Sequence, residues 1–154
     1  MSANDVIDIS LNLATKKKFR INGDNDKILE LDISDFNIIT RFNDSYPQLV
    51  ELDNKIVELG KSSDEETNME EFSAKFKEID TEMRKLIDTI FDTNVSKVCV
   101  SEGSMYDIVD GELRYEHILT QLIQLYETNI NSELEKRRAN VQKHTDKYAK
   151  ARKG

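Results

Sequence analysis

Side chains able to do chemistry are few here: one cysteine, Cys99, and two histidines, His117 and His144, stand among 154 residues. Cys99 lies between Val98 and Val100, and a thiol in apolar company is expected to be inert core rather than a low-pKa nucleophile. His117 follows Glu116 and could act as a general base. No serine, cysteine or second carboxylate stands beside it at helical spacing, so a solvent-facing histidine is the expectation. Asp24, Asn25 and Asp26 suggest a calcium loop but lack alternate ligand positions, a central glycine and a terminal glutamate, so they read as a hairpin turn. Ser101, Glu102, Gly103 and Ser104 could cradle a phosphate only with further glycines and a lysine, and read as a loop between helices. Asp64, Glu65, Glu66, Glu70 and Glu71 match a metal cluster only in composition. They straddle a helix start, where carboxylates complement the dipole. One cysteine and two histidines make no structural zinc set and no internal disulfide, which suits a reducing compartment. No catalytic residue, cofactor or metal is expected.

The order in this sequence is apolar instead. Met69, Phe72, Phe76, Ile79, Met83, Leu86 and Ile90 recur at steps of three and four, which places all seven on one face of a helix over 69–91. Each such side chain gains about 1.5–3 kcal/mol on burial, so that face must meet other helices or a partner. A second stripe, Leu49, Leu52, Ile56 and Leu59, begins after Tyr46 and Pro47 and closes at Gly60. It predicts a helix pairing with the long one across the polar stretch 61–68. Ahead of it a short helix is expected, capped by Ser34 with Asp35 at its dipole, carrying Phe36, Ile39 and Phe42 and ending at Asn43 and Asp44. Residues 92–111 read as a helical turn, a tight loop and a linker. A last helix from about Leu113 carries Ile118, Leu119, Leu122, Ile123, Leu125, Tyr126, Ile130 and Leu134.

Upstream, Val6, Ile7, Ile9, Leu11 and Leu13 nearly alternate with polar residues, the period of a half-buried strand. Residues 19–21 and 27–33 flank the turn-rich run 22–26 and repeat that pattern. Three short strands are marginal alone, so the sheet should lean on the helices or pair with another subunit. The expected fold is mainly α with a small N-terminal antiparallel β-sheet, an α+β chain whose core is a helical hairpin or bundle. Its parts are a β segment over 1–33, a helical domain over 34–134 and a basic tail over 135–154, mobile or solvent-exposed.

Composition sets the frame for function. Charged residues make 34% and hydrophobic ones 38% of the chain, but the apolar residues are clustered, so a folded core with disordered ends is expected. The start lacks a basic leader and a long apolar run, so no signal peptide is expected. No segment approaches the roughly 20 apolar residues of a membrane span. Residues 136–154 hold eight Lys/Arg against one Asp, a surplus of +7 in a chain of net −8, so the remainder carries −15. Lys136, Arg137, Arg138, Lys143, Lys147, Lys150, Arg152 and Lys153 could track phosphates. The acidic body and a single aromatic in the tail, Tyr148, argue against nucleic acid, leaving docking on an acidic protein surface or plain solvation.

Two stretches resemble a known family. Residues 19–23 and 29–35, running on to Arg41, Phe42 and Asn43 and then Tyr46 and Pro47, form the first. Residues 87–91, Val95, Val98, Cys99, the turn 101–104, and then Tyr115, Ile118, Leu119, Leu122, Ile123 and Tyr126 form the second. Together they resemble the tail assembly chaperones of long-tailed phages and prophages of Gram-positive bacteria, in a pattern of apolar spacing and loops over roughly residues 19–127. Where Cys99 stands, relatives often carry an aromatic. The resemblance implies a non-catalytic protein of the host cytoplasm, absent from the mature virion, that holds the tape-measure protein and recruits tail-tube subunits to it. In many such phages a longer form arises by frameshifting.

A chaperone for an apolar helical partner needs helix surfaces that can cover the partner's stripe. Candidate partner-binding residues are therefore Leu49, Leu52, Ile56, Met69, Phe72, Phe76, Met83, Ile118, Leu122 and Tyr126, with the methionines adding adaptability. Only those left exposed after folding can bind. A homo-oligomer formed by strand pairing or helix packing is a further expectation. The rival readings are a phage-encoded acidic inhibitor or adaptor of a host defence or nucleic-acid-binding protein, and an enzyme in which Cys99 or His117 is activated by residues distant in sequence.

Overall fold

The computed structural model describes residues 5–62 and 68–153. The protein is mainly α with small antiparallel β elements. In chain order these are β1 (Lys17–Ile21), β2 (Asp24–Leu31), α1 (Asn37–Ser62), α2 (Met69–Phe91), α3 (Val95–Cys99), β3 (Ile108–Val109), β4 (Glu112–Leu113) and α4 (Arg114–Lys153).

β1 and β2 form a hairpin in which Phe19 lies opposite Leu29 and Lys17 opposite Leu31. Its turn is Asn22-Gly23, with φ of 51° and 72°, the left-handed pair that a two-residue hairpin with strand-compatible twist requires. Leu29 and Leu31 are buried, and Phe19 and Ile21 pack against the same core. The strand expected over residues 6–13 does not join this sheet. Those residues form no regular secondary structure, and Val6, Ile7, Ile9, Leu11 and Leu13 are all exposed. Ala14, Thr15 and Lys16, which would have to turn the chain back onto β1, include none of the residues that accept positive φ.

α1 is one continuous helix rather than two. Ile38, Phe42, Ser45, Leu49, Leu52, Ile56 and Leu59 are buried or half-buried at strict four-three spacing, so the apolar phase passes through Asn43, Asp44 and Pro47 unbroken. Pro47 removes only the bond to the carbonyl of Asn43, on an exposed stretch that water reaches. Asp35 rather than Ser34 caps the start, its Oδ1 accepting from the Asn37 N–H at 2.9 Å and its Oδ2 from Arg41 Nη1 at 2.9 Å. Burial alone would raise the Asp35 carboxyl, but these donors outweigh it and hold it below the usual carboxylate range.

α2 begins and ends where its stripe does. Asn68 Oδ1 accepts from the Glu70 N–H, and Asp92 closes the helix in the left-handed conformation. α1 and α2 are antiparallel: Arg41 Nε donates to Ile90 O at 2.7 Å, and Lys55 faces Glu82. α4 runs alongside α2 in the same direction, with Tyr115 Oη donating to Asp53 of α1 and the Tyr126 ring against Phe91 farther along.

A parallel α2–α4 pair needs the chain to travel back between them, and a polar ladder on α2 guides that return. Asp80, Arg84 and Asp88 stand one turn apart. Asp88 takes the N–H and hydroxyl of Ser96 at 2.8 and 2.9 Å. Arg84 donates to Val100 O and Gly103 O, both at 2.9 Å, and more weakly to Ser96 O. Asp80 accepts from the Met105 N–H at 2.8 Å. The stretch expected to be a linker then forms a second hairpin, β3–β4, turned by Asp110-Gly111 with φ of 54° and 77°. α4 continues without interruption through the basic segment and is exposed from residue 131 to 147, a rod of about 60 Å over its 40 residues. Asp64, Glu65 and Glu66 lie outside the described residues.

Candidate interaction surfaces

The polar groups of the hairpin turn and of the 101–104 loop are engaged in local structure. Asp24 Oδ1 accepts from the Asp26 N–H at 2.9 Å, so this carboxylate shapes the hairpin turn. In the 101–104 loop, the Asp107 carboxylate holds the Ser104 N–H and hydroxyl at 3.1 and 2.9 Å and pairs with Arg114 at 3.1 Å. Those bonds hold the Asp107 carboxyl below its ordinary range. The backbone donor a phosphate would use already faces an anion, while the carbonyls of Glu102 and Gly103 face arginines. Among the described residues no three His, Cys, Asp or Glu side chains converge as a metal-binding group.

Cys99 and His117, distant in sequence, do line one groove. His117 is exposed, with Nδ1 at 3.0 Å from Glu112 Oε2. The Cys99 thiol is half-buried, and burial pushes its pKa up, with Asp88 adding to the rise and Lys27 opposing it. No hydrogen bond joins Cys99 to His117 among the described residues. Burial thus disfavours the thiolate, the form that nucleophilic chemistry uses.

Of the candidate partner-binding residues, the structure places Leu52, Met83 and Tyr126 fully inside the core. Burial pushes the Tyr126 phenol up to about 12, with Asp35 adding and Arg41 opposing. Leu49, Ile56, Phe72, Phe76, Ile118 and Leu122 are half-buried against that core. Met69, the first residue of the stripe, is 75% exposed. Burial along α2 deepens toward its C-terminal end, where α3 packs on it and the Tyr126 ring of α4 meets Phe91.

Leu49 contributes to a groove of about 600 Å³ between α1 and α4, with Phe42, Leu119 and Ile123 as its apolar floor. Beside it the Tyr46 ring lies 6.2 Å from that of Phe42. Outside this groove α1 presents a stripe absent from the candidate residues: Ile39, Tyr46, Val50 and Val57, of which Ile39 is 64% and Tyr46 53% exposed. Steps of seven, four and seven put them on one face. That spacing was present in the sequence, but it becomes visible only once α1 is known to run unbroken through Pro47. Ile118 and Leu122 line a second groove of about 570 Å³ beside the β1 end, with Ile21, Cys99, Val100 and Val109.

No described helix is long and apolar enough to cross a membrane. Comparison with family models, with curated proteins and with solved structures gives no match to this chain.

Proposed function

We propose that this chain is a non-enzymatic tail assembly chaperone of a long-tailed phage or prophage, which masks the apolar helical surface of a tape-measure protein in the host cytoplasm and brings tail-tube subunits to it. The supporting observation is the α1 face: the stripe from Ile39 to Val57 runs about 27 Å along the helix beside the groove floored by Phe42, Leu49, Leu119 and Ile123. The apolar floor of the groove and the stripe beside it, edged by Asp53, Glu116 and Glu127, suit an amphipathic helix whose apolar anchors recur at three and four residues. Exposed apolar residues aligned over five helical turns are more than scattered surface hydrophobics.

Co-expression with the tape-measure and tail-tube proteins of the source phage or prophage tests the proposal. The tape measure should stay soluble and co-elute with this chain, and Tyr46→Glu with Val50→Glu should abolish co-elution while leaving helical content unchanged. A tape measure that precipitates while this chain elutes alone would overturn it. In that event, salt-sensitive capture of a purified nucleic-acid-binding host protein would favour the acidic inhibitor.

A further inference from the structure

Residues 6–13 carry five large apolar side chains outside any regular secondary structure, with Ile7 86% and Leu11 68% exposed. Ile7, Ile9, Leu11 and Leu13 alternate with Asp8, Ser10 and Asn12, so a strand made from them would have one apolar face. β1 pairs only with β2 among the described strands, leaving its other edge without a strand. That edge is basic, with Lys17, Lys18 and Arg20, whereas the segment carries Asp5 and Asp8. The two parts also match in phase. Continued through residues 14–16 as one strand, the chain keeps Ile7, Ile9, Leu11 and Leu13 on the face of Phe19 and Ile21, which pack on the core.

Folding back within one chain would need a tight turn at 14–16. Both hairpins this chain does form use a residue pair with two positive φ angles, Asn22-Gly23 and Asp110-Gly111. Ala14-Thr15-Lys16 offers no such residue. Extended pairing in trans has no such requirement.

We infer that residues 6–13 of one copy add as a third, antiparallel strand to the free edge of β1 in a second copy, and reciprocally, so that the chain forms a strand-exchanged dimer. A two-fold axis at Thr15 sets the register. It places Leu11 opposite Phe19 and Ile9 opposite Ile21 on the core face, and Asn12 opposite Lys18 and Ser10 opposite Arg20 on the outer face. Asp8 then lies diagonal to Arg20, within reach of a long side chain. Each apolar pair occurs twice, as an isologous interface requires. The incoming strand passes the Ile21 end of β1, where the groove floored by Ile118 and Leu122 is lined by β1 and its turn but by no residue of β2.

The full chain in a Cys99→Ser background, carrying Asn12→Cys and Lys18→Cys, is oxidised and run without reductant, beside sedimentation of the unmodified chain. The expected results are a disulfide-linked dimer and a sedimenting mass of twice 17.8 kDa. Leu11→Asp should weaken the dimer at least tenfold while leaving the circular dichroism of the helices unchanged. An internal disulfide in a monomeric band would mean that the segment folds onto its own β1 and would overturn the proposal. So would a monomer at all concentrations, or a dimer indifferent to Leu11→Asp.

Discussion

Replacing Arg84 by methionine tests whether the α2 polar ladder steers the return of the chain. The substitution keeps most of the aliphatic stem and removes the guanidinium. Nε then no longer meets Asp80 Oδ2 at 3.0 Å, and Val100 O and Gly103 O each lose a donor at 2.9 Å. Asp80 keeps the Met105 N–H, so its carboxylate is not left without a donor. The Gly103 carbonyl is exposed and rehydrates at little cost, and the 3.4 Å contact to Ser96 O is weak. What remains is two part-buried, charge-assisted bonds at about 1.5 kcal/mol each, the low end of their range because the Arg84 side chain is 25% exposed. The expected loss is therefore about 3 kcal/mol. With a urea m-value of roughly 1–3 kcal/mol/M, that lowers the unfolding midpoint by about 1–3 M. A local readout accompanies the global one: Cys99 follows the part of α3 held by the ladder, so its alkylation in native buffer should quicken. Lys75→Met, on an exposed pair with Glu71, is the control. If Arg84→Met costs no more than that control, or leaves Cys99 equally protected, the ladder does not hold the return segment and the reasoning fails.

Pro47→Ala restores the helical bond to the Asn43 carbonyl inside α1 and should stabilise the protein by about 1–3 kcal/mol; a melting temperature that stays level or falls would show that α1 depends on the proline. The Tyr126 phenol, raised by burial to about 12 in the folded chain, ionises near 10 when unfolded. Its contribution is whole below pH 10 and is lost as pH rises from about 10 to about 12, a fall on the order of 2–3 kcal/mol. Tyr106 and Tyr115 are raised as well, also mainly by burial, so the test is the difference from Tyr126→Phe. Denaturation curves across that window should show the variant losing less stability than the parent, and parallel losses would refute the assignment.

The helices were legible where apolar period and terminal chemistry coincided. α2 starts and stops with its stripe because Asn68 caps one end and Asp92 turns left-handed at the other. α1 was less legible because Asn43, Asp44 and Pro47 are local stop signals, and the longer signal, a four-three phase continuing from Ile38 to Leu59 across them, outweighs them through burial against α2. The β3–β4 hairpin was marked by Asp110-Gly111, the turn chemistry that forms it, but its strands are two residues long and give no alternation to read. Asp80, Arg84 and Asp88 resemble any solvated helix face, since nothing in their spacing reveals that the chain will come back along them. That the candidate binding residues Leu52, Met83 and Tyr126 lie in the core was hidden for a related reason. Periodicity identifies a face that must be covered but not whether the cover comes from the same chain.

The residues 6–13 show the same limit from the other side. Their alternation fits a strand, but a strand needs an edge, and the edge that matches them in charge and phase can be reached within one chain only through a turn that Ala14-Thr15-Lys16 is poorly built to make. Leaving Leu11 and Ile9, the two side chains set opposite Phe19 and Ile21, in water forgoes about 1.5–3 kcal/mol each, several times what a solvent-exposed salt bridge such as Lys75–Glu71 contributes. A second copy supplies that edge twice over, so concentration should govern whether the segment is ordered. The α1 stripe stands on a different element and would remain free for another partner.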